Sequence, residues 1–131
     1  MIRQLARSEG RCLGYEISGK IDAAQEKRWT QELDEAVATY SSLRLLVVLD
    51  PDARWGLDAG IADLKWLTVH MTNIERIAVV TDSSVWRWLV SIDGFFAGMV
   101  GIAERHFDTA HLDDAWDWLF DNTEKGPATA E

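Results

Sequence analysis

The sequence predicts an α/β domain: a mixed, mostly parallel sheet of about five strands, with an N-terminal β-hairpin and about four helices. Three observations predict it. Two short β-like runs at the start flank a polar turn that contains glycine, the pattern of a hairpin. Two later runs, residues 43–49 (LRLLVVL) and 77–80, are apolar on both faces apart from Arg44, as expected of strands in the middle of a parallel sheet. Stretches with apolar residues at helical spacing alternate with these runs, and alternation of that kind requires crossover connections, which are almost always right-handed.

Each element follows from its own pattern. Residues 2–6 and 12–18 form the hairpin around Ser8, Glu9, Gly10 and Arg11. In the second run Leu13, Tyr15 and Ile17 share a face expected to be buried, while Cys12, Gly14, Glu16 and Ser18 make a small or polar one. Gly19 and Lys20 break the pattern. Asp22-Ala23-Ala24-Gln25 reads as a capping box opening a first helix, whose stripe is Trp29, Leu33, Ala36, Val37 and Tyr40. Pro51 cannot extend a ladder, so Asp50-Pro51-Asp52 ends the strand before it. Leu57, Ile61, Leu64, Leu67 and Met71 mark a second helix, and Trp86, Leu89 and Val90 begin a third after Thr81-Asp82-Ser83-Ser84. Residues 103–107 read as a short edge strand, and Leu112, Ala115, Trp116, Leu119 and Phe120 as a last amphipathic helix. One domain is expected over residues 1–120, with a flexible tail over 121–131.

Composition narrows the function classes. The chain has 131 residues, the length of one domain, and seven of them are Trp, each able to bury roughly 150–250 Å². A formal net charge of −9 disfavours nucleic acid, whose binding depends on neutralising phosphates with Lys and Arg. The single cysteine, Cys12, provides neither an internal disulfide nor a cysteine zinc site, and the first ten residues lack the apolar core of a signal peptide. A cytoplasmic location is expected.

The ordered segments resemble a known family. Gly19-Lys20-Ile21 resembles its turn after the second strand, and Arg44-Leu45-Leu46-Val47-Val48-Leu49-Asp50 its central strand. Trp55, then Asp63-Leu64-Lys65, then residues 74–80 (IERIAVV) follow in register. Trp88-Leu89, Phe95-Phe96, Arg105, Phe107-Asp108, Ala115-Trp116 and Trp118-Leu119 complete the set, which spans roughly residues 2 to 119. The chain thus resembles the STAS-like (SpoIIAA-like) bacterial family. That resemblance implies a fold shared with STAS domains and, more distantly, with CRAL-TRIO lipid carriers, and it suggests an apolar ligand or membrane association. STAS anti-anti-sigma factors carry a phosphorylated Ser in the loop after the third strand. Here that loop, residues 50–56 (DPDARWG), has no Ser or Thr, so the phospho-switch does not carry over.

No catalytic or metal-binding constellation emerges from the residues. Asp50, Asp82 and Asp108 each follow a strand, where α/β proteins collect ligands and three acids could hold Mg²⁺, but carboxylates that cap or approach a helix N-terminus account for all three. Asp82-Ser83-Ser84 likewise reads as a capped helix start. His70, His106 and His111 lack the four-residue spacing of a helical metal pair. The expectation is a non-enzymatic module without cofactor or metal. Its most informative stretch is residues 89–103 (LVSIDGFFAGMVGIA), whose only charge is Asp93 and which is too short and glycine-rich to span a membrane. Either it is core, or Phe95, Phe96 and Met99 form a lid over an apolar pocket walled by Trp55, Trp66 and Trp86. The expected partner is then an apolar small molecule or acyl chain, with peripheral membrane contact a related reading. The alternative is a STAS-like protein-interaction or homodimerisation domain using the same segment.

Overall fold

A computed structural model of the protein describes residues 1–55, 71–82 and 103–121. Strands β1 (Ile2–Gln4) and β2 (Cys12–Ile17) form the antiparallel hairpin. Glu9 and Cys12 exchange backbone hydrogen bonds of 2.8 and 3.0 Å around Gly10-Arg11. Gly10, at φ +58°, supplies the positive angle that a two-residue turn requires at its first central position.

Two short parallel strands come next, β3 (Lys20–Ile21) and later β5 (Arg54–Trp55), paired Ile21 to Trp55. The sequence reads both segments as irregular, because runs of two residues show no alternation. Helix α1 (Ala23–Tyr40) opens as expected: Asp22 Oδ1 accepts the Gln25 N–H at 2.9 Å, and that bond holds the Asp22 carboxyl below its ordinary range. The Gln25 side chain also hydrogen-bonds the Asp22 carboxyl, and its amide donates to the Lys20 carbonyl at 3.4 Å. Trp29 and Leu33 are buried and Ala36 and Val37 half-buried, but Tyr40, expected on the stripe, is 45% exposed in the last turn.

The remaining elements are β4 (Leu43–Leu49), β6 (Ile74–Val80), β7 (Ala103–Phe107) and a second helix, α2 (Leu112–Phe120). The five-stranded sheet runs β1-β2-β4-β6-β7, with β1 antiparallel to β2 and the other three neighbouring pairs parallel. The sheet is therefore mixed. Of the four or so helices expected, two lie among the described residues. The expected second and third fall outside them, except that Met71 belongs to a 3-10 turn (Met71–Asn73) leading into β6.

Alternation along the strands gives the sheet two packed faces. Leu13, Tyr15, Ile17, Leu43, Leu45, Ile77 and Val79 pack with Trp29 and Leu33 of α1. Cys12, Leu46, Ala78, Val80 and Phe107 pack with Ala115, Trp116 and Leu119 of α2. The small face of β2 is thus covered rather than exposed. Gly14 has no side chain because Trp116 lies there: a Cβ at that position would meet two ring carbons at 2.5 Å.

One irregularity sets up the chemistry below. Leu43 pairs with Ile74, but Arg44 pairs with Arg76, leaving Glu75 as an extra residue in β6. Such a bulge re-aims a side chain and shifts the phase of alternation. It also explains how Ile74 and Ile77, three apart, reach the same core face.

Candidate functional site

The two edges of the sheet carry different charges. At the amino edge, where β2, β4 and β6 begin, four polar residues form one network around the bulge. Glu75 Oε1 accepts from Arg44 Nε at 2.9 Å, and Oε2 accepts from Arg11 Nη1 at 3.0 Å and from the Ser42 hydroxyl at 2.8 Å. Arg44, 6% exposed, also donates through Nη1 to the carbonyls of Leu119 at 2.9 Å and Asp121 at 2.7 Å. Arg76 donates to the Trp118 carbonyl and lies 5.2 Å from the Trp118 ring centre. Arg44 thus satisfies the Leu119 and Asp121 carbonyls, and Arg76 adds to the Trp118 carbonyl, which also accepts the Asp121 N–H at 3.3 Å, all at the negative end of the helix dipole. Desolvation pushes the Glu75 carboxyl upward, but the hydrogen bonds from Arg44 and Ser42 and the charge of Arg11 outweigh it and hold Glu75 below its ordinary range. Burial raises the nearby Cys12 thiol, with the arginines partly opposing it. A raised thiol is a poor nucleophile, so nothing here activates Cys12.

The carboxyl edge is acidic. The Asp50 N–H donates to the Ile17 carbonyl and its own carbonyl accepts from Ala53, each at 2.9 Å, closing a tight turn. Its carboxyl hydrogen-bonds that of Asp52, which raises Asp50 above the ordinary range, with desolvation and the charges of Asp52 and Glu16 adding to the effect. Asp52 Oδ1 also accepts the Gly19 N–H at 3.0 Å, joining the turn before β3 to the turn before β5. Next to them Thr81 is fully buried, its hydroxyl donating to the Leu49 carbonyl at 3.2 Å. His106 Nε2 donates to the Thr81 carbonyl at 3.2 Å, a role consistent with packing. The three aspartates are each expected to cap or approach a helix N-terminus, and two of them can be placed. Asp50 closes a turn. Asp108 precedes the 3-10 turn Thr109–His111 with no side-chain cap, its carbonyl accepting from His111 at 2.9 Å. The helix expected after Asp82 lies outside the described residues. Among the described residues, no group of three or more His, Cys, Asp or Glu is arranged to hold a metal ion.

Of the expected pocket wall, Trp55 ends β5 at this carboxyl edge, in register with Ile21. Trp66, Trp86, Phe95, Phe96 and Met99 lie outside the described residues. The chain leaves the described part at Asp82, just past the carboxyl end of β6, and returns at Ala103, the start of β7. A separate shallow depression of about 140 Å³ lies between β1 and α1, lined by Ile2, Gln4, Tyr15, Gln25, Arg28, Trp29 and Glu32. Burial, with the charge of Glu32 added, pushes the Tyr15 phenol there up to about 12. No expected wall residue lines it. Sequence reasoning passed over this depression and the amino-edge network alike. The one signal available for the network was Arg44, a charge inside an otherwise apolar strand.

Comparison with known proteins agrees with this architecture. The profile of the SpoIIAA-like family matches residues 12–120. The chain belongs to the SpoIIAA-like family. It is similar to an uncharacterised protein of the DUF3478 family with a SpoIIAA-like fold, from Shewanella loihica PV-4. That crystal structure gives a TM-score of 0.65 at 23% identity, with 90% of this chain and 93% of that one covered. At that identity the likeness establishes the fold. No protein of curated function matches. No helix among the described residues is long and apolar enough to cross a membrane.

Proposed function

We propose that this SpoIIAA-like domain is a non-enzymatic, cytoplasmic module that binds a lipophilic small molecule or acyl chain at the carboxyl edge of its sheet. The observation that carries the reading is the stretch 89–103, fifteen residues with Asp93 as the only charge, joined to the chain between β6 and β7. Trp55, Trp66 and Trp86 form the wall and Phe95, Phe96 and Met99 the lid. Binding rests on desolvation: each buried methylene contributes about 0.8 kcal/mol, so about ten would contribute on the order of 8 kcal/mol before ordering costs. The site holds its ligand without transforming it, and the same lid accounts for contact with a membrane surface.

Native mass spectrometry of gently purified protein, alone and with added fatty acids, tests this. The expected result is a retained or acquired apolar adduct that Phe95→Asp abolishes. Bare polypeptide throughout, with no uptake, overturns it. A dimer broken by Phe95→Asp with no fatty-acid effect would move the segment to a protein-interaction role.

A further inference from the structure

We draw no further inference here: the strongest candidate, the shallow polar depression between β1 and α1, carries nothing, because the Trp29 indole nitrogen in its wall is sealed from solvent, the Gln4, Arg28 and Glu32 side chains around it are exposed, and nothing in the structure shows what covers it.

Discussion

The amino and carboxyl edges of one sheet show how the same kinds of side chain serve different ends. At the amino edge the charges are used up by the fold. Arg44 makes three hydrogen bonds, Glu75 accepts three, and together with Arg76 they fasten the end of α2 to the strands beneath it. At the carboxyl edge the acids lie on turns, half or fully exposed, and Asp50 and Asp52 sit close enough to raise the Asp50 carboxyl. A buried polar group must be satisfied or the fold is penalised, whereas an exposed one is under no such requirement. The first edge is therefore structural, and the second is left open to function. α/β proteins generally place ligands at the carboxyl ends of their strands.

That contrast can be broken in graded steps. The largest effect is expected from Arg44→Met, which leaves Glu75 and the Leu119 and Asp121 carbonyls without their donor. A loss of about 2–3 kcal/mol in urea unfolding is predicted, mostly from the buried Leu119 carbonyl left without a donor, since Glu75 is partly exposed. A loss below about 0.5 kcal/mol, the usual size for a surface change, would show that the network does not hold α2. Next comes Gly14→Ala, which drives a methyl group into the Trp116 ring. Overpacking of this kind costs about 1–3 kcal/mol. Combining it with Trp116→Leu should give less than the sum of the two single losses, since the same clash would be relieved; strict additivity would mean the two residues do not meet.

The smallest effect is expected at the other edge. The Asp50 carboxyl is raised in the folded chain, so its contribution to stability is present below the unfolded value near 3.9 and lost as pH rises through the higher folded one. Asp50→Asn cannot ionise and keeps a donor toward Asp52. Its thermal midpoint is expected slightly above wild type at pH 7, with the gap closing at pH 3.5. A variant clearly less stable than wild type at pH 7 would mean that the ionised Asp50 holds the turn.

Much of the fold was legible in the residues because burial on two faces leaves a strong mark. The bounds of β4 follow directly from an apolar run and the hairpin from Gly10, while β7 (AERHF) keeps the bounds expected of a short edge strand although only its ends are apolar. β6 was only half legible. The extra residue Glu75 puts Ile74 out of phase with Ile77, so simple alternation recovers the strand only from Ile77 onward. The small face of β2 carried no sign of what covers it: Cys12 and Gly14 make room for Trp116, a hundred residues later, which fills the space above them. The amino-edge network was invisible because its members, Arg11, Ser42, Arg44 and Glu75, come from separate segments joined only by the fold. At the carboxyl edge Asp50 closes a turn where a helix start was expected, since a turn and a helix cap draw on the same residue types.

Backbone amide NMR shifts, followed while oleate is titrated into the full chain, test the division between the edges most directly. The account predicts saturable shifts that cluster at Trp55, Thr81 and Asp82 and at Phe95 and Phe96, with Arg11, Arg44 and Glu75 unmoved. Shifts centred on the amino-edge network, or a spectrum that oleate leaves unchanged, would contradict it.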